Sequence, residues 1–175
     1  MPDSPVPGAG DGRPTIVVFD VDGVLADVRH RLRHVERRPK DWESFFAAMD
    51  ADGPLADGIA MARERAAEGH VLVYLTGRSE DHRTLTESWM SRHGLPPGRL
   101  VMRRTEDRRP ARVFKPAALR RIAGDGRVVE VVDDDVAVVE VLRREGWPVL
   151  LATWMMADAA AQQSLFDAQE VEGRT

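Results

Sequence analysis

The chain has 175 residues, of which 43% are hydrophobic and 31% charged, and this balance predicts one ordinary globular domain. Its net charge of −4 argues against a protein that coats nucleic acid with its whole surface. The lack of cysteine excludes disulfides and zinc–thiolate sites and fits a cytoplasmic location. No apolar run is longer than Val71–Leu75, which is too short for a membrane span.

The ends of the chain are expected to lie outside the folded domain. Residues 1–14 are rich in proline and glycine and lack the basic start and apolar core of a secretory signal, so they predict a disordered leader. The domain itself is expected to span 15–156. Residues 157–175 predict a last helix, docked by Leu165 and Phe166, followed by a frayed tail.

Short, β-branched apolar runs, typical of strands buried on both faces, recur along the domain. They cover residues 15–19, 70–75, 127–132 and 148–152, with a weaker candidate at 99–102. Apolar residues at helical spacing lie between these runs, and glycines follow where the helices should end. Strands alternating with helices predict an α/β fold, a Rossmann-like, doubly wound and mostly parallel sheet.

The segment from Asp27 to Pro54 breaks this alternation and predicts a short insertion after the first strand. Asp41 can cap a helix within it. The aromatic residues of that helix, Trp42, Phe45 and Phe46, fit packing better than base stacking.

Polar clusters follow three of the predicted strands. They are Asp20-Val-Asp22-Gly23, Thr76-Gly77-Arg78 and Asp133-Asp134-Asp135. Because ligands bind at the carboxyl ends of the strands in open parallel sheets, these clusters should converge at one edge. Asp20, Asp22 and Asp133 supply hard oxygen ligands that suit Mg²⁺, whereas Asp135 is expected to lie in solvent at the start of the next helix.

The spacing of these residues predicts phosphoryl chemistry. Asp20 and Asp22 are two apart, so an extended strand points both to one side, where one can attack phosphorus and the other can handle the leaving-group proton. Thr76 offers a hydroxyl and Gly77 backbone donors to phosphoryl oxygens, and Lys115 would neutralise charge during transfer.

These motifs, in this order, resemble those of the haloacid dehalogenase (HAD) superfamily over roughly Thr15 to Trp154. The resemblance implies a HAD-type fold, an aspartyl-phosphate on Asp20, and Asp22 as the acid that protonates the leaving oxygen and then activates water. It also implies that Asp20, Asp133 and the backbone carbonyl of Asp22 hold Mg²⁺. Asp134 would contact these ligands without binding the metal itself.

Further segments of the sequence resemble one particular family within this superfamily. Phe19-Asp-Val-Asp-Gly, Asp41-Trp42, Arg99-Leu-Val-Met-Arg and Val132-Asp-Asp resemble the phosphatase domain of bacteriophage-type polynucleotide kinase-phosphatases, which remove phosphate from 3′ ends of nucleic acid. We therefore expect a Mg²⁺-dependent phosphomonoesterase that acts on such ends in nucleic-acid repair.

Two alternatives remain. Val24-Leu25-Ala26-Asp27 is also similar to deoxyribonucleotidases, which favours a small-molecule phosphatase such as a 5′(3′)-nucleotidase, and a non-catalytic module that binds nucleic-acid ends would keep the same fold. Basic stretches at 29–40 and 103–112 should border the site, although arginine runs are often only solvated faces. The expected substrate contacts are Gly77, Arg78, Arg29, Arg33, Arg103 and Arg104. The sequence carries no pattern that indicates an oligomeric state.

Overall fold

The computed structural model describes residues 12–36, 38–155, 167–171 and 173. Most of the predicted leader, and the C-terminal segment that contains Leu165 and Phe166, lie outside the described residues. In chain order the elements are β1 (Thr15–Phe19), β2 (Ala26–Asp27), α1 (Arg29–Glu36), α2 (Trp42–Ala47), β3 (Gly53–Pro54), α3 (Ala56–Ala67), β4 (Val71–Ser79), α4 (Arg83–Arg92), β5 (Arg99–Arg103), α5 (Ala111–Ile122), β6 (Arg127–Asp133), α6 (Val136–Arg144) and β7 (Val149–Leu151). A π-helical segment, Asp167–Val171, comes last.

Five strands form one parallel sheet in the order β5-β4-β1-β6-β7. The predicted α/β fold with a mostly parallel sheet is confirmed, and the first strand of the chain is its central strand. β4 continues to Ser79, four residues beyond the predicted end, so Thr76-Gly77-Arg78 lies within the last part of the strand.

Helices pack on both faces of the sheet because successive side chains of a strand point to opposite sides. Val17 and Phe19 of β1 pack with residues of α3 and α4. Ile16 and Val18 pack on the other face with residues of α5 and α6. Burial of each such side chain contributes about 1.5–3 kcal/mol, so the central strand is held firmly from both sides.

The insertion contains α1, α2 and a small antiparallel pair, β2 with β3, that joins its two ends. Asp41 caps α2 as predicted, since its carboxylate accepts a hydrogen bond of 2.9 Å from the backbone N–H of Ser44. Leu32 and Val35 of α1 pack with Phe45 of α2 in a separate apolar cluster. The insertion is therefore a compact lobe anchored beside the end of β1.

Candidate active site

Three carboxylates meet at the carboxyl ends of the two central strands. One oxygen from each of Asp20, Asp133 and Asp134 lies within 4.8 Å of the others. Asp20 follows β1, and the other two aspartates lie at the end of its neighbour β6, so the parallel pairing itself brings them together. Burial raises the pKa of Asp20 to about 7, although the charge of Lys115 acts in the opposite direction.

Lys115 of α5 reaches this cluster from the side. Its Nζ lies 2.7 Å from Oδ2 of Asp133 and 2.9 Å from Oδ2 of Asp20. Burial would lower the pKa of Lys115, but the charges of the two aspartates outweigh this and raise it. A fixed cation therefore lies against the carboxylate that the sequence analysis assigned as nucleophile.

The three carboxylates fit a divalent cation. Oδ1 of Asp134 is buried and has no hydrogen-bond partner among the described residues. Burial, followed by the charges of Asp20 and Asp133, raises the pKa of Asp134 well above its ordinary value. Gly23 leaves the space for this carboxylate, because a Cβ there would lie 2.0 Å from Oδ2 of Asp134 and the φ angle is +81°. Mg²⁺ prefers carboxylate oxygens as ligands, and the negative charge of these three carboxylates is balanced only in part by Lys115.

Asp22 lies among arginines and is not part of the three-carboxylate cluster. Its Oδ1 accepts hydrogen bonds from Nη2 of Arg31 at 2.9 Å and from Nε and Nη2 of Arg78 at 2.9 and 2.5 Å. Burial would raise the pKa of Asp22, but the charges of Arg78 and Arg31 outweigh it and lower the pKa to about 2. Asp22 is therefore an ionised carboxylate in this arrangement.

Asp52, at the end of the insertion, holds the same two arginines. Its carboxylate accepts hydrogen bonds from Nε and Nη2 of Arg31 at 2.8 and 3.1 Å, and from Nη2 of Arg78 at 2.7 Å. Nε1 of Trp89 donates to its backbone carbonyl at 2.8 Å. All four charged side chains are buried, so two carboxylates balance two guanidinium groups.

Thr76 and Gly77 lie within the last part of β4, whereas the sequence predicted that they follow the strand. The hydroxyl oxygen of Thr76 accepts a hydrogen bond of 3.1 Å from the backbone N–H of Arg78. The carbonyl of Gly77 accepts one of 3.0 Å from Nε of Arg103. Asp135 lies at the start of α6 as expected, where it accepts from the N–H of Ala137 at 2.8 Å, but it is buried and not solvated. The end of β4 thus directs Arg78 towards Asp22.

The other predicted substrate contacts are placed differently. Arg29 is exposed and pairs with Asp27. Arg33 is exposed beside a cavity of about 390 Å³. Arg104 is exposed beside a cavity of about 540 Å³ along β5. Arg103 is buried, donates to two backbone carbonyls and lies over an aromatic ring, so its contacts are internal.

Sequence reasoning missed Arg31 and Asp52. Arg31 was grouped with the basic face of its helix, yet it belongs to the apolar stripe of Val28, Leu32 and Val35, whose i, i+3, i+4, i+7 spacing could have placed it inside. Asp52 gave no comparable signal, because its contacts depend on how the whole insertion folds back on the sheet.

The family match over residues 14–153, together with the sheet and the site, places the protein among the phosphatases of the HAD superfamily. Solved structures with the same fold include a class C acid phosphatase from Bacillus anthracis with tungstate bound, with a TM-score of 0.63 and 13% identity over 90% of this chain and 80% of that one. A hydrolase from Pseudomonas syringae has a TM-score of 0.58 and 14% identity over 86% of this chain and 90% of that one. At these identities the likeness shows the fold alone.

The chain belongs to the family of the polynucleotide kinase PNKP phosphatase domain, whose family model matches residues 14–153. A chain of the Pnkp1/Rnl/Hen1 RNA repair complex is 25% identical, with a TM-score of 0.66 over 81% of this chain. Only 43% of that chain is covered, so the present chain spans less than half of its length. No curated protein matches the sequence.

None of the helices within the described residues combines the length and the apolar content that a membrane crossing requires.

Proposed function

We propose that the protein is a Mg²⁺-dependent phosphomonoesterase that removes 3′-phosphate from nucleic-acid ends through an aspartyl-phosphate on Asp20. The observation that carries this proposal is the position of the Asp20 carboxylate, which contacts Lys115 and shares a three-carboxylate cluster with Asp133 and Asp134. Membership of a phosphatase family supports the reaction class.

Asp20 would act as the nucleophile. Asp20, Asp133 and the backbone carbonyl of Asp22 would hold Mg²⁺. Asp134, which the sequence placed behind these ligands, lies close enough to them to be a further ligand. Bound Mg²⁺ would supply the positive charge that keeps these carboxylates ionised and offsets the charge of the phosphoryl oxygens. An oxygen of Asp20 forms a bond to phosphorus as the bond to the ester oxygen breaks, and the leaving oxygen takes a proton. Water then gives a proton to Asp22 and attacks phosphorus, which releases inorganic phosphate and restores the Asp20 carboxylate.

Asp22 would supply that proton only after substrate has bound. Its pKa of about 2 means that it is deprotonated while both arginines contact it. A phosphate dianion competes for the same guanidinium groups, and Nη1 of Arg31 is buried without a hydrogen-bond partner among the described residues. As Arg31 and Arg78 turn to the phosphate, the burial of Asp22 would dominate and raise its pKa, so that it can hold and donate a proton.

The nucleic-acid substrate is supported by the family and by the size of the insertion. The related chain belongs to an RNA repair complex. The insertion is a small lobe of two short helices and one two-stranded ladder, which suits a site that admits the end of a polymer.

Phosphate release from matched substrates tests this proposal. The substrates are a 3′-phosphorylated oligonucleotide, the same oligonucleotide with a 5′-phosphate, and a nucleoside 3′-monophosphate, each with and without Mg²⁺. We expect the 3′-phosphorylated polymer to be preferred, with an activity that falls steeply as salt is added, because a polymer is held through several phosphates. Equal or faster hydrolysis of the mononucleotide, with little effect of salt, would contradict the polymer substrate and favour a nucleotidase.

A further inference from the structure

A row of three aromatic rings lies in the insertion and the loop that faces it. The ring of Phe46 stacks on that of Trp42, with centroids 5.9 Å apart and planes at 25°. The ring of Phe46 also stacks on the imidazole of His82, at 5.0 Å and 28°. All three side chains are partly exposed. Trp42, Phe46 and His82 therefore form a continuous strip of nearly parallel rings, called here the aromatic row.

The aromatic row is connected to the catalytic carboxylates through one further ring. Phe45 is buried and contacts Trp42 and Phe46 edge to face, with centroids 5.6 and 5.4 Å apart. The guanidinium carbon of Arg31 lies 4.4 Å from the centroid of Phe45. Since Arg31 donates to Asp22, only this guanidinium and one ring separate the row from the proposed acid.

His82 has the electrostatic properties of a stacking surface. It lies four residues after Arg78, in the turn that follows β4. Burial lowers its pKa, and the charges of Arg78 and Arg31 act in the same direction, against the opposing charge of Asp81. The imidazole is therefore neutral at neutral pH and presents an uncharged, flat face.

We propose that the aromatic row binds the base of the nucleotide that carries the scissile phosphate, whereas the sequence alone favoured packing for Trp42 and Phe46. This inference rests on the proposed function and adds a base-binding subsite to it. A base is flat and apolar on its faces, so it would stack on a partly exposed ring at the end of the row. The phosphate of the same nucleotide would then contact Arg31 and Arg78. Nζ of Lys40 lies 5.6 Å from the centroid of Trp42, so positive charge borders the row and complements the backbone of a nucleic-acid strand.

Two oligonucleotides that differ only in the terminal base test this proposal. Both carry a 3′-phosphate, and in one of them the terminal nucleotide is abasic. The ratio of kcat/KM for the two substrates is measured with the same enzyme preparation, so it does not depend on the fraction of folded protein. A base-free phosphate monoester serves as a third substrate.

The variants are Trp42→Leu, Phe46→Leu and His82→Ala, with Trp147→Leu as the matched control. Trp147 is also partly exposed, but it precedes β7 and so lies at the end of the sheet opposite the site. We expect the wild-type protein and the control to prefer the base-bearing oligonucleotide by about tenfold, the scale of one stacked base. The row variants should reduce this ratio towards one while hydrolysing the base-free ester at the wild-type rate.

Other results would overturn either the base-binding subsite alone or the proposed function as well. A wild-type ratio near one, or a ratio that the row variants leave unchanged, would show that the row binds no base even if 3′ ends are hydrolysed. Wild-type protein that hydrolyses the base-free ester but neither oligonucleotide would overturn the proposed function, and the base-binding subsite with it.

Discussion

Asp20 and Asp22 are two residues apart, yet their surroundings shift their pKa values in opposite directions. Burial raises the pKa of Asp20 to about 7, whereas Arg78 and Arg31 overcome burial and lower that of Asp22 to about 2. A nucleophile should be ionised and an acid protonated, so each residue needs a ligand to reach its working state. We infer that a cation prepares Asp20 and that the phosphate of the substrate prepares Asp22.

At the residue scale, Asp52→Asn tests whether the buried arginines must be held in place. The change removes one of the two carboxylates that balance Arg31 and Arg78, so we expect kcat/KM to fall by about 10- to 100-fold and the free energy of unfolding by about 3 kcal/mol. Phosphate release and urea unfolding measure these effects.

The matched control for Asp52→Asn is Asp50→Asn, because Asp50 lies in the same segment but is exposed and pairs with Arg92 at the surface. Its loss should change both quantities little, since exposed ion pairs contribute about 0–1 kcal/mol. If Asp52→Asn behaves like Asp50→Asn, the arginines do not depend on Asp52.

At the scale of elements, the sequence predicted the features that local pattern determines. The strands of the sheet and the cap of α2 were found where periodicity and capping chemistry indicated them. The extension of β4 through Gly77 was missed, because glycine is a weak strand former and the pairing with β5 is irregular between Leu75 and Ser79. The burial of Arg31 was missed since an arginine is placed inside only when partners from other elements neutralise it.

The contact between α3 and the loop after β1 gives a prediction at this scale. Gly58, in the first turn of α3, approaches that loop so closely that a Cβ would lie 1.9 Å from the backbone carbonyl oxygen of Val24. Gly58→Ala should therefore push the helix from the loop and lower the free energy of unfolding by about 1–3 kcal/mol. Gly53→Ala is the control, because its Cβ would meet its nearest neighbour at 3.9 Å. Equal effects on urea unfolding would refute this close packing.

At the scale of the whole molecule, the sheet topology explains why the acidic cluster was predictable and the arginine cluster was not. β1 and β6 are parallel neighbours, so the aspartates that follow them must meet. Arg31, Asp52 and Arg78 come from α1, the end of the insertion and β4. Their convergence depends on how the insertion packs against the sheet, which no local pattern specifies.

Mg²⁺ binding should stabilise the folded protein, and more so at higher pH. The pKa of Asp20 is about 7 in the folded protein against an ordinary value of 3.8, so ionisation of the buried carboxylate costs stability as the pH rises from about 4 to about 7. A bound cation offsets this cost. The Mg²⁺-dependent increase in Tm should therefore be larger at pH 8 than at pH 5.

Two variants make that measurement specific. Asp133→Asn removes a proposed ligand and should abolish most of the Mg²⁺-dependent increase in Tm. Asp57→Asn changes an exposed aspartate of α3 and should leave it unchanged. An increase that is equal at both pH values, or equal in both variants, would contradict the assignment of the metal site.

Detection of a phosphoryl group on Asp20 tests the account most directly. Protein mixed with a 3′-phosphorylated oligonucleotide and Mg²⁺ is quenched in acid within milliseconds and analysed by peptide mass spectrometry. We expect the peptide that contains Asp20 to gain the mass of one phosphoryl group, in a form that hydroxylamine removes. Asp20→Asn should show neither this adduct nor phosphate release, with a loss of activity of at least about a thousandfold. Phosphate release by Asp20→Asn at the wild-type rate would contradict the central claim that this carboxylate attacks phosphorus.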